Sequence, residues 1–151
     1  MGLKGKVYRM VVRPVVLYGS ECWPLKKTQV QRLMVAEIRM VKWMCGFTRL
    51  DKIRNGVIRG LAQVAPIEAK MRESRLRWFR HVKRKSAASP VHRCEMINPP
   101  GGKRGRGRPK KSLEEVVSKE LRVVGLTEDM TQDRRLWRDR IKVSECRGSA
   151  T

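Results

Sequence analysis

The sequence predicts an all-α protein of about five helices, set as two small helical units on either side of a disordered basic linker. Three observations lead there. Apolar residues recur at three- and four-residue steps through residues 1–85 and again through 112–146. Glycines and a serine stand where such runs would stop or start. Residues 86–111, between the two runs, are dominated at their centre by Gly, Pro, Arg and Lys. A short tail, 147–151, is expected to be disordered.

Taken in chain order, Val7 to Tyr18 is ambiguous. Val11-Val12 and Val15-Val16-Leu17 suit a buried strand as well as a helix, but Pro14 argues against a central strand because it cannot donate a ladder hydrogen bond. Gly19 and Pro24 bracket a turn containing Trp23. From about Thr28, residues Val30, Leu33, Met34, Ile38, Val41, Met44 and Cys45 fall on one side of a 3.6-residue period, and Gly46 follows as a stop. Pro66 sits at a favourable first-turn position, where its missing N–H would be unpaired anyway. The helix it opens carries Ile67, Met71, Trp78, Phe79 and Val82 within one arc.

In the last unit, Ser112-Leu113-Glu114-Glu115 fits a capping box. Leu113, Val116, Val117, Leu121 and Val124 then form a stripe that Gly125 ends. A further helix from about Thr131 to Val143 is expected to bury Leu136, Trp137 and Ile141, completing a helical hairpin. The apolar residues are assigned to cores. Trp43, Trp78 and Trp137 share the helical spacing of Leu, Ile and Val, which assigns them to packing ahead of base stacking.

Charge narrows the function. The chain has 36 Lys and Arg against 14 Asp and Glu, a formal net charge of +22. Such a chain repels itself unless a polyanion or salt neutralises it. No apolar run approaches a membrane span, because Arg13-Pro14 interrupts the longest candidate. The same interruption removes a signal-peptide reading of the N-terminus. The thiols of Cys22, Cys45, Cys94 and Cys146 are scattered without a C-x-x-C pair, and His92 with Cys94 lacks the further ligands a closed zinc site needs. No cofactor or metal is expected.

Two stretches carry the positive charge most plainly. On the helix after Pro66, Arg75, Arg77, Arg80, Lys83, Arg84 and Lys85 face little acidic opposition, whereas a solvated helix ordinarily mixes signs to gain i,i+4 pairs. That asymmetry favours phosphate contacts. In the linker, Lys103, Arg104, Arg106, Gly107, Arg108, Pro109, Lys110 and Lys111 form the second stretch. Its centre, Arg106-Gly107-Arg108-Pro109, matches the core of an AT-hook, which lies extended in the narrow A·T minor groove where negative potential concentrates. The other reading is a flexible basic linker touching phosphates without sequence preference, and the same cations suit a nuclear localisation signal.

Several phrases go beyond patterning. Lys6 through Trp23 is similar to the "RPxxLYGxExW" segment that follows the polymerase core in LINE-type (non-LTR) retrotransposon polyproteins. Arg39 to Gly46 and Asp51 to Asn55 resemble the family's next phrases. Arg75 to Val82 resembles its "RLRWFGHV" phrase, with Arg80 where glycine is common. Gly105 to Pro109 and Asp133 to Arg138 follow in the expected order, so the resemblance covers nearly the whole chain.

The resemblance implies a region downstream of a reverse transcriptase, without its chemistry. Asp51, Asp129, Asp133 and Asp139 are not adjacent to one another, whereas the family's polymerase uses a paired Asp-Asp, and two-metal phosphoryl transfer needs clustered carboxylates. The Cys/His knuckle of some relatives is missing too. The expectation is a non-enzymatic module that binds RNA or DNA mainly through phosphates, with no membrane or small-molecule partner. Its expected location is nuclear, with the cytoplasm as a second compartment. The alternatives are an AT-hook chromatin protein and an inert translated remnant.

Overall fold

The computed structural model describes residues 2–48, 50–86, 88–91 and 111–146. Among these residues every regular element is helical and none is a strand. The order is α1 (Gly2–Val7), a π turn (Tyr8–Val12), α2 (Arg13–Leu17), a 3-10 turn (Ser20–Cys22), α3 (Lys27–Met44), α4 (Asn55–Ala62) and α5 (Ile67–Lys83). After these come α6 (Leu113–Val124), a second 3-10 turn (Glu128–Gln132) and α7 (Arg134–Ile141). Residues 92–110, which hold most of the expected linker together with His92 and Cys94, lie outside the described residues, as does the tail 147–151.

The ambiguous Val-rich stretch is helical, and proline explains its form. Pro14 has no N–H, and in a regular helix its ring presses on the carbonyl four residues back. The backbone widens just before it, so that the Arg13 N–H donates to Tyr8 O, five residues back. Five residues of α-helix would separate two side chains by about 140°. The wide turn instead brings Tyr8 and Arg13 onto the same buried side. The opposite side of this rod departs from the expectation that apolar residues serve cores: Leu3, Val7, Met10, Val11 and Val15 are all exposed.

Elsewhere the local signals hold. α3 begins one residue before Thr28, and Gly46 after it takes φ +78. Gly125 closes α6 at φ +67, a left-handed conformation that costs a side chain but not glycine. Of the expected capping box one half forms: Ser112 Oγ accepts from the Glu115 N–H at 3.2 Å, without a return bond from the Glu115 side chain among the described residues. Pro66 proves to be the cap residue of α5, one position before the first turn. The last helix starts later than expected. Asp133 Oδ1 accepts from the N–H groups of Arg135 (2.9 Å) and Leu136 (3.0 Å), so α7 opens at Arg134 and a 3-10 turn occupies the Thr131 region.

Two apolar clusters form the interior. Tyr8, Ile38, Val41, Cys45, Ile58, Ala62 and Val64 build the first, where the N-terminal rod, α3 and α4 meet. Leu76, Phe79, Val117, Leu121, Leu126, Trp137 and Ile141 build the second. The second takes Leu76 and Phe79 from α5 and the rest from the C-terminal hairpin. The two helical regions therefore share a core, and a boundary at residue 85 would cut through it.

Carboxylates stitch the pieces together. The fully buried Glu37 accepts from Tyr8 Oη at 3.1 Å, Arg59 Nη2 at 3.2 Å and the Ile67 N–H at 3.2 Å. Glu145 accepts from both terminal nitrogens of Arg13, at 2.6 and 3.3 Å, and from the Ala65 N–H at 2.7 Å. The chain's last described segment thus closes onto the start of α2. Burial, followed by the nearby Glu37 charge, pushes the Tyr8 hydroxyl up to about 12, so it stays a donor.

Candidate nucleic-acid interface

The sequence marks α5 as a one-sided basic helix, and its period decides which cations share a face. Glu73, Arg77, Arg80, His81 and Arg84 follow at i, i+4, i+7, i+8 and i+11. Packing of Leu76 and Phe79 against Trp137 and Ile141 then lays α7 alongside. The Trp137 indole stacks on Phe79, centroids 6.4 Å apart, and its N–H donates to Leu76 O at 3.2 Å. That buried joint fixes the spacing of the two helices.

Between them runs an open groove of about 940 Å³. From α5 and its end it receives Arg77, Arg80, Arg84 and Lys85, and from α7 and its end Arg134, Arg135, Arg138 and Lys142. Against these eight cations stand two carboxylates, Glu73 and Asp139. Glu73 is already engaged, accepting from Lys70 at 3.0 Å, Arg77 at 2.6 Å and the Val143 N–H at 3.2 Å.

The electrostatics of the groove are unrelieved at its centre. Burial and then the neighbouring charges of Arg84 and Arg134 lower the proton affinity of the Arg80 guanidinium, with Asp133 opposing them. Among the described residues its Nε–H, shielded from solvent, has no hydrogen-bond partner, and its Nη2 reaches Gln132 O only at 3.5 Å. A phosphate oxygen would satisfy both the charge and the donor.

The expected site residues divide. Arg77, Arg80, Arg84 and Lys85 line the groove. Arg75 does not, and this corrects the sequence reading. Only 3% exposed, it is paired with Glu120 and donates to Ser20 O, so it is a structural cation that joins α5 to α6. Lys83 points elsewhere as well, lying 5.4 Å above the Phe79 ring and 3.7 Å from Glu128. Lys111 is exposed beside the start of α6. Lys103, Arg104, Arg106, Gly107, Arg108, Pro109 and Lys110 lie outside the described residues.

Sequence reasoning overlooked the α7 half of the groove. The signal was present: Arg134, Arg138 and Lys142 repeat at four-residue steps, a basic stripe running beside the apolar Trp137 and Ile141. The tryptophans also divide. Trp137 is buried and Trp78 packs against the second cluster, as expected, but Trp43 is 78% exposed and takes no part in packing.

Among the described residues no three His, Cys, Asp or Glu side chains converge as metal ligands, and no helix is long and apolar enough to cross a membrane. The described cysteines, Cys22, Cys45 and Cys146, are free thiols. Comparison with known families, curated proteins and solved structures returns no match for the chain.

Proposed function

We propose that this chain is a non-catalytic nucleic-acid-binding fragment of a non-LTR retrotransposon polyprotein, gripping the phosphate backbone of RNA or DNA in the groove between α5 and α7. The observation that carries the binding is the convergence of eight Lys and Arg side chains, from helices far apart in sequence, on one groove with two carboxylates. The retrotransposon origin rests on the ordered phrases from Lys6 to Arg138. The same reading assigns the protein to the nucleus and gives it no reaction of its own.

Binding of this kind draws its free energy from counterions released as phosphates are neutralised. Arg80 supplies the most specific contact, because its unpartnered N–H and crowded charge are both relieved by an anion. Arg84, Arg134, Arg135 and Arg138 add planar donors suited to phosphate oxygens.

Anisotropy titrations of the full chain against A·T-rich duplex, G·C-rich duplex and single-stranded RNA test this over a range of salt. If half of the eight cations engage phosphates, log K should fall against log salt with a slope of about −3.6 on duplex. A flat salt response refutes the proposal. A marked A·T preference, abolished by Arg106→Ala with Arg108→Ala, would transfer the activity to the linker and to an AT-hook reading.

A further inference from the structure

We infer that α3 carries a second nucleic-acid contact, a stacking platform for unpaired bases centred on Trp43. This deepens the nucleic-acid-binding reading and rests on it, naming single-stranded RNA or DNA as the ligand.

Tryptophan is seldom left this open, since burying its ring is among the larger apolar gains available to a fold. Trp43 is nonetheless 78% exposed, on the side of α3 facing away from Ile38, Val41 and Cys45. The exposure follows from the period. Arg32, Ala36, Arg39 and Trp43 succeed one another at i, i+4, i+7 and i+11 and are all exposed, so they form one solvent-facing stripe. At a rise of 1.5 Å per residue this stripe is about 16 Å long. Ala36 keeps its middle low, and the arginines stand behind the indole like rungs.

The charge around the ring is positive. Glu37 is the only acidic residue in α3, and it is fully buried and bound to Tyr8, Arg59 and the Ile67 N–H. The exposed surface of α3 therefore carries no carboxylate. A helix C-terminus would ordinarily present partial negative charge beside Trp43. Here the Lys4 ammonium donates to Met44 O at 3.3 Å and offsets it. Beyond the helix, Asp51 is held by the Thr48 N–H at 2.6 Å and the Thr48 hydroxyl at 2.9 Å.

An open indole at the end of a row of cations fits a single strand, with the base on the ring and the backbone on Arg39 and Arg32. A duplex keeps its bases stacked internally and offers the ring nothing comparable. The groove between α5 and α7 has cations from both walls but its tryptophan is buried, so it grips phosphates without reading unpaired bases.

The test compares the full-length wild type with Trp43→Ala and Trp43→Phe on two probes, an oligothymidylate of about 16 nucleotides, within the span of known single-strand sites, and a duplex of equal length. Trp43→Ala should weaken the single strand about 5- to 100-fold. Trp43→Phe should restore most of that loss, and duplex affinity should not change. In parallel, a 5-iodouracil-substituted strand irradiated with the wild-type chain should cross-link to Trp43, as mapped by peptide mass. This second measurement stands even if a variant fails to fold. Equal losses on both probes, no loss on either, or a cross-link confined to other residues overturns the platform. Binding to duplex with the expected salt slope but without any Trp43 effect refutes this inference alone. Absence of binding to either probe refutes the groove and the platform together.

Discussion

The guanidinium carbon of Arg13 lies 5.3 Å from the centroid of the Tyr8 ring, a pairing that exists because the intervening turn is wide. From there Arg13 reaches Ala65 O at 3.3 Å and both oxygens of Glu145. Tyr8 reaches Glu37 with its hydroxyl. One turn of the N-terminal rod is thereby tied through two carboxylates to α3, to α4, to the start of α5 and to the segment after α7. The rod is held chiefly by these polar ties and by the few residues on its inner side, since its outer apolar face is open.

Arg13→Ala should therefore be among the most destabilising single changes in the N-terminal rod. Removing Arg13 strips the partly buried Glu145 of both guanidinium hydrogen bonds, at a cost of about 2 kcal/mol. Arg13→Lys should cost less but still measurably, because an ammonium cannot reproduce the planar fork that spans Glu145 and Ala65 O. Urea melts of the two variants and of Arg13→Ala with Glu145→Ala give the coupling directly. A double variant as unstable as the sum of its parts would mean that the two side chains act independently.

The same pair makes stability depend on acidity. Burial alone would raise the Glu145 carboxyl, but hydrogen bonds from Arg13 and the Ala65 N–H, with the charges of Arg13 and Lys70, hold it below the ordinary glutamate range. A group lowered on folding contributes its full stabilisation above its unfolded value, near 4.3, and loses it as pH falls through the folded value. Glu145→Gln should thus melt below the wild type at neutral pH by about 2 kcal/mol, the worth of hydrogen bonds to a charged group. The gap should close in strong acid. A gap unchanged between neutral pH and strong acid would show that the carboxylate charge plays no part.

Gly5 provides a purely steric test. A Cβ at this position would run into the backbone carbonyl of Ala62, where α1 crosses the end of α4. Backbone cannot yield as a flexible side chain does. Gly5→Ala should destabilise by about 1–3 kcal/mol despite the better helix propensity of alanine. Thermal melts of Gly5→Ala beside Gly60→Ala separate the causes, since a Cβ at Gly60 meets nothing within 4 Å. Stabilisation at Gly5 would show that the crossing is looser than described.

What was legible in the sequence was local. Ser112, Gly46 and Gly125 announce helix ends through their own backbone chemistry, and the stripe from Val30 to Cys45 declares its period within α3. The rod was not legible, because runs of valine serve strand or helix and Pro14 rules only against a central strand. Arg75 was misread for a different reason. A basic helix shows how many cations it has, but which one turns inward depends on Glu120, forty-five positions away. The partnership of α5 with α7 was hidden in the same way. Trp43 was a lesser failure, since its position relative to Ile38 and Val41 already set it off the buried side.

The division of the α5 arginines yields the sharpest functional prediction. Arg75→Ala should lower stability while leaving the salt dependence of nucleic-acid binding intact, because Arg75 faces Glu120 and never meets solvent. Arg80→Ala with Arg84→Ala and Arg135→Ala should do the reverse, reducing the salt slope on duplex by up to about 2.7 with little change in the melt. The loss in Arg75→Ala has its own signature. Burial raises the Glu120 carboxyl even with Arg75 and Arg72 pulling it down, and among the described residues its second oxygen has no partner. Without Arg75 the cost of keeping that charge buried is present above its raised folded value and is relieved as pH falls through it. The Arg75→Ala deficit should therefore shrink on mild acidification. A shallower salt slope in Arg75→Ala than in the groove triple variant, measured by anisotropy on the same duplex, would return Arg75 to the binding face and remove the distinction between the two sets.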